Sequence, residues 1–292
     1  KKGGKGFSIP TATSKDKPQT SKISNSLKAT EQQAISLVNE GKLKDAQNIY
    51  LKLIEDGNSN ISILINLASI YGIQGRLDEV IELLNQVLVA NPNDPDAHYN
   101  IGNAFQEKGN LDTAISHYYE VLKLTPNDPD AHYTLANALQ EREDLSSAIS
   151  HYNTVLELTP RDTDACINLG NALRQNGDLE EAISFYNKAI ELRPNNPEAL
   201  NNLGNALKDQ GKVNTANSCF NKAINLKPNY YDAHKNLSIT ELLCGNYKNG
   251  LERYEQRFKC IQNECLLHAK PACKEWNGEN IKQTKQLLMV SE

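Results

Sequence analysis

Two residue types recur in this 292-residue sequence at spacings that could do chemistry. Histidine is the first, because an imidazole can ligate a metal or relay a proton near neutral pH. Five of the six, His98, His117, His132, His151 and His234, fall at just two places of a repeated pattern, which points to packing and not to an active centre. Cysteines stand at 166, 219, 244, 260, 265 and 273 without any Cys-x-x-Cys pair, so reduced thiols are expected. The last four, with His268 nearby, could surround zinc, but spacings of sixteen, five and eight residues match no common ligand pattern. No nucleophile elbow or His-Glu-x-x-His stretch occurs, and the GGKG near the N-terminus follows no strand and opens no helix. The expectation is a chain without catalytic site, metal or cofactor.

Asparagine is the second type. NPNDPDAHYNIGN at 91–103 returns as TPNDPDAHYTLAN at 125, TPRDTDACINLGN at 159 and RPNNPEALNNLGN at 193. Each interior asparagine costs a helix several tenths of a kcal/mol against alanine, so helix propensity does not explain the copies. An amide carries both a donor and an acceptor, which suits it to bridge the backbone N–H and C=O of an extended peptide.

The elements that position these residues repeat strictly. Pro92, Pro126, Pro160, Pro194 and Pro228 are 34 residues apart, which sets seven units: 27–60, 61–94, 95–128, 129–162, 163–196, 197–230 and 231–264. Counting from the start of a unit, a first helix carries its core at four, seven, eight and eleven, as in His98, Ile101, Gly102 and Phe105. Glycine follows at fifteen in every unit but one, where Glu143 stands, and should stop that helix in a left-handed conformation. A second helix has alanine at twenty (Ala114, Ala148, Ala182, Ala216) and an aromatic ring at twenty-four (Tyr118, Tyr152, Tyr186, Phe220). Asp94, Asp128 and Asn196 are expected N-caps, each followed by proline at the first helical position. Linkers this short force antiparallel hairpins, and one hairpin buries too little to fold without neighbours.

Positions two, six, nine and thirteen then lie opposite the hairpin core of the first helix. Position six holds Asn66, Asn100, Asn168, Asn202 and Asn236, and position nine Asn103, Asn137, Asn171 and Asn205, so these nine form the candidate peptide-binding stripe. Glu107, Glu141 and Asp209 at thirteen lie beside it and would favour a guest bearing lysine or arginine. The acids at position two open a helix, where they complement its dipole.

Composition narrows the function classes. Residues 1–26 carry six lysines against Asp16, which leaves a formal charge of −10 on the rest and argues against nucleic acid. That basic, Gly/Ser/Thr/Pro-rich tail is expected to be disordered. No stretch is long and apolar enough for a membrane span or secretion signal, so the sequence reads as cytoplasmic.

The small residue at eight, apolar or aromatic residue at eleven, alanine at twenty, tyrosine or phenylalanine at twenty-four and proline at thirty-two resemble the tetratricopeptide repeat over about residues 27–264. The family's tryptophan at four is replaced by His98, His132, Cys166, Leu200 and His234. The resemblance implies an all-α fold, a right-handed superhelical solenoid of about seven helix-turn-helix repeats with a short irregular C-terminal extension, and a concave groove lined by the first helices. DAHYNIGN and EALNNLGN are most similar to repeats of O-linked N-acetylglucosamine transferases, whose asparagine ladder holds protein substrates.

Residues 265–292 depart from the repeat and contain Trp276 and the apolar, strand-like run Leu287–Val290. YEQRF, WNGEN and LLMVSE together resemble the junction at which bacterial tetratricopeptide repeats are fused to a glycosyltransferase-like domain, so a following domain is expected after Glu292. Two functions remain open: a protein-interaction scaffold that grips an extended, basic peptide segment, or the substrate-selecting arm of a longer glycosyltransferase.

Overall fold

The computed structural model describes residues 22–254, where every regular element is an α-helix. In chain order these are α1 (Lys22–Asn39), α2 (Leu43–Glu55), α3 (Ile61–Ile73), α4 (Leu77–Ala90), α5 (Pro95–Glu107), α6 (Leu111–Leu124) and α7 (Pro129–Glu141). There follow α8 (Leu145–Leu158), α9 (Thr163–Asn176), α10 (Leu179–Leu192), α11 (Pro197–Asp209), α12 (Val213–Leu226), α13 (Tyr231–Leu243) and α14 (Tyr247–Tyr254). The all-α expectation holds. Helix α1 begins at Lys22, inside the 1–26 segment expected to be disordered. The rest of that tail lies outside the described residues, as do Trp276, Leu287–Val290, Cys260, Cys265, Cys273 and His268.

Local signals end the helices where the sequence places them. Asp94 Oδ1 accepts from the Ala97 N–H at 2.9 Å, Asp128 from Asp130 and Ala131, and Asn196 from Glu198 and Ala199. Each side chain satisfies N–H groups that the first turn leaves unpaired. At the other end Gly109 and Gly211 have φ of 77° and 80°. Around Gly211, its N–H reaches the Lys208 carbonyl and the Lys212 N–H reaches the Leu207 carbonyl, each at 2.8 Å. Glu143 takes the same turn with φ of 66°, a conformation that a side chain strains.

The chain divides into two compact units, residues 1–172 and 173–292, with the boundary inside α9. In the first, one apolar cluster runs from Ala34 to Ala104 and includes the fully buried Tyr50, Ile63 and Val80. In the second, Leu200, Ala223 and Ala233 form a cluster against Ile190, Ile224 and Tyr230. The last hairpin is polar inside, where Glu241 meets Arg253 at 3.1–3.2 Å and the Ser238 hydroxyl donates to the Gly250 carbonyl.

A second buried face accompanies the expected one. Alanines at three (Ala97, Ala131, Ala165, Ala199, Ala233) and at ten (Ala104, Ala138, Ala172, Ala206) are all 0% exposed. At about 100° per residue they lie roughly a quarter-turn from the hairpin core, so each first helix is buried on two sides. Ion pairs add a periodic outer tie, Lys108 with Asp78 and Arg142 with Asp112. Both are exposed, and such pairs contribute little each.

Candidate peptide-binding stripe

The alanine face changes the surroundings of position six. That position lies only about 50° from it, and Asn66 and Asn100 are buried to 7% and 2% exposure. They therefore do not stand open, as their place opposite the hairpin core led us to expect. Asn103, Asn137, Asn168, Asn171, Asn202, Asn205 and Asn236 are half-buried.

Hydrogen bonds tie the stripe to the interior and to the next repeat. The Tyr118 hydroxyl lies 2.8 Å from Asn103 Oδ1 and 2.9 Å from Gln106 Oε1; the Tyr152 hydroxyl lies 2.6 Å from Asn137 Oδ1 and 3.0 Å from Gln140 Oε1. Burial first, then neighbouring Tyr99 or Tyr133, pushes both phenols far above the ordinary tyrosine range, so each stays a neutral donor. Between repeats, position five meets position six, 35 residues on: Tyr99 with Thr134 at 3.0 Å, Tyr133 with Asn168 at 2.7 Å, and Asn201 with Asn236 at 2.9 Å. Asn168 Nδ2 also donates to Asn137 Oδ1 at 3.2 Å. The residue at five before Asn100 is Ile65, which has no polar group, and Asn100 Oδ1 is buried without a partner among the described residues.

The sequence missed the tyrosines' part in this network. Tyr118 and Tyr152 were legible only as core rings, although their recurrence 15 residues after a stripe asparagine was the available signal. Where Phe220 replaces the tyrosine, Asn205 makes no side-chain hydrogen bond among the described residues.

The acids at thirteen are exposed, and two are engaged by position twelve of the preceding repeat. Glu141 accepts from Gln106 at 3.1 Å, and Asp209 from Arg174 at 2.8 Å. Arg174 thus offsets the charge that Asp209 would offer a basic guest.

The histidines pair. His98 Nε2 is 3.1 Å from the Pro92 carbonyl oxygen and its Nδ1 is 3.0 Å from Nδ1 of His117; His132 repeats this with Pro126 at 3.0 Å and His151 at 2.9 Å. A carbonyl only accepts, so Nε2 of the first ring carries its proton and its Nδ1 receives one from the second ring. Burial and then the partner imidazole hold His117 and His151 below the ordinary histidine range. His234 keeps the contact to the Pro228 carbonyl at 2.9 Å, but its Nδ1 is buried and unpartnered among the described residues. An open cleft of about 580 Å³ lined by Tyr119, Lys123, His132 and His151 contains none of the stripe asparagines. Cys166, Cys219 and Cys244 form no disulfide among the described residues, where no group of three or more metal-ligating side chains occurs either.

Helical hairpins stacked at a 34-residue period, with a small residue at eight packed on an aromatic ring at twenty-four, define a helical-repeat protein. Models of the TPR repeat match residues 69–109, 102–142 and 170–211, and models of the tetratricopeptide repeat match 129–162 and 197–230, together more than half of the chain. The chain belongs to the tetratricopeptide-repeat family. No curated protein matches it. Among solved structures it is similar to YrrB, described as a TPR protein with an unusual peptide-binding site, at 24% identity and TM-score 0.55 over 63% of this chain and 95% of that one. It is similar to MamA at 24% identity and TM-score 0.53, over 56% of this chain and 95% of that one. A tetratricopeptide repeat protein from Parabacteroides merdae covers more, 82% of this chain and 95% of its own, at 16% identity and TM-score 0.67. These likenesses are of fold.

Proposed function

We propose that this chain is a protein-interaction scaffold, not a catalyst, and that it holds an extended segment of a partner protein along the asparagine stripe. One observation carries the reading: stripe amides such as Asn137, Asn168 and Asn236 have one end fixed internally while the other has no partner among the described residues and is not sealed from solvent. A half-satisfied amide of that kind offers a hydrogen bond to any backbone, whatever its side chains. The similarity to YrrB, a peptide-binding protein of the same fold, supports it. Exposed Glu107 and Glu141 favour a basic segment over an acidic one or a nucleic acid. A cytoplasmic setting is part of this proposal; no described helix is long and apolar enough to cross a membrane.

The test is a selection of binders from a displayed library of random twelve-residue peptides. A variant with Asn168, Asn171, Asn202 and Asn205 replaced by alanine should bind the selected peptides at least about 30-fold more weakly, because each lost hydrogen bond removes about 0.5–1.5 kcal/mol. Equal affinity with unchanged helical content would remove the stripe from the binding site.

A second reading, that the repeats select substrates for a glycosyltransferase, rests on DAHYNIGN and EALNNLGN and on the YEQRF, WNGEN and LLMVSE stretches. A two-lobed α/β domain in frame after Glu292 would support it, and a stop codon there would end it.

A further inference from the structure

Within the stripe of the first unit, the structure assigns Tyr152 a positioning role: its phenol holds the Asn137 amide so that Asn137 and Asn168 together present one hydrogen-bond donor and one acceptor to a guest backbone. This rests on the peptide-binding reading and specifies how the site is kept in order.

Asn137 Oδ1 lies 2.6 Å from the Tyr152 hydroxyl and 3.2 Å from Asn168 Nδ2. Asn168 Nδ2 is in turn 2.7 Å from the Tyr133 hydroxyl. What remains is Nδ2 of Asn137, a donor, and Oδ1 of Asn168, an acceptor; neither has a partner among the described residues, and neither is buried away from solvent. Because the two amides bond each other, one must give and the other receive. Exchanging the oxygen and nitrogen of both amides swaps the two roles and still leaves one outward donor and one outward acceptor.

An extended peptide presents C=O and N–H groups in a fixed order along its backbone. A donor beside an acceptor matches such a pair in one chain direction, so the two asparagines select direction as well as extension. Holding the amide matters because an asparagine side chain free to rotate must be ordered when the guest binds, which weakens binding. The tyrosine removes that loss from the core side: its ring is fully buried and its hydroxyl reaches out to the stripe. Tyr118 stands in the same relation to Asn103.

Tyr152→Phe tests this with little disturbance of the core, since Phe220 fills the same place one unit length further along twice over. The probe is a peptide selected from the random dodecapeptide library, its affinity measured by calorimetry against the wild type, Tyr152→Phe, Asn137→Ala and the double variant. We expect Tyr152→Phe to weaken binding about three- to tenfold, on the scale of one hydrogen bond. In the Asn137→Ala background the same change should have no further effect, because the phenol acts only through that amide. Additive losses, or no loss from Tyr152→Phe while Asn137→Ala still weakens binding, would overturn the positioning role and leave the stripe standing. Failure to select any peptide, or indifference to both Asn137→Ala and Asn168→Ala, would overturn the stripe and with it this inference. As a check on direction, the selected peptide made in reversed sequence should bind at least about tenfold more weakly; equal affinity would refute the paired donor and acceptor.

Discussion

The hairpins at 95–128 and 129–162 and the hairpin at 197–230 solve the same packing problem with different chemistry. At positions four and twenty-three the first two place His98 with His117 and His132 with His151, in contact through Nδ1, while the third has Leu200 and Cys219. At twenty-four the first two have Tyr118 and Tyr152 bonded to stripe asparagines, and the third has Phe220, which has no hydroxyl for Asn205. The fold therefore requires volume and shape at these places but not polarity. Polar residues there add two properties that the fold does not need: a connection from core to stripe, and a titratable interior.

The largest effect should be shared by both kinds of hairpin. Tyr152→Ala and Phe220→Ala remove fully buried rings, and each should cost about 3–5 kcal/mol in urea unfolding, as aromatic truncations in cores do. A loss confined to the tyrosine would mean that its hydrogen bonds, and not its ring, hold the hairpin, and the equivalence would break.

The helix-ending turn gives a smaller and oppositely signed pair. Glu143 holds a left-handed φ that Gly211 holds without strain, and a Cβ added at Gly211 would meet no atom within 4 Å, so backbone conformation alone sets the difference. Glu143→Gly should raise unfolding stability by about 1 kcal/mol and Gly211→Ala should lower it by a similar amount. Two changes of the same sign would show that something other than backbone conformation sets the turn.

The least effect, and the one that separates the hairpins, depends on pH. His117 and His151 have folded-state values below the ordinary histidine value of about 6.5, so the unfolded chain binds more protons as pH falls. Their contribution is present above about pH 6.5 and is lost as pH drops through the folded values. Hydrogen exchange corrected for its intrinsic pH dependence should show α5–α8 opening more readily at pH 5.5 than at pH 7.5 on the order of the histidine titration, with α11–α12 unchanged over that window. Replacing His98 and His117 with the leucines that hairpin 61–94 carries as Leu64 and Leu83 should abolish the response in α5–α6. An undiminished response would assign it to other groups.

Much of this was legible in the sequence for a specific reason. The period, the caps at Asp94, Asp128 and Asn196, and the turns at Gly109 and Gly211 depend on residues within a few positions of one another, where local stereochemistry decides; that Glu143 would take the same turn was not legible. The buried alanines at three and ten and the enclosure of Asn66 and Asn100 were not legible, because helical spacing gives the angle of a residue but not how many neighbours its helix has. The imidazole pairs lie 19 residues apart and the phenol–amide bonds 15. Recurrence marked each residue involved, but only the packed hairpin showed which one meets which.

The ties from position five to position six have a further consequence. They join residues 35 apart in a chain whose period is 34, so hairpin 129–162 is tied through Thr134 to the hairpin before it and through Tyr133 to the one after. Growth by a whole cassette leaves each such bond with a mate, whereas an insertion of any other length throws two neighbouring hairpins out of step. The arrangement works like a zip with a head and a tail, and it admits lengthening only in complete teeth.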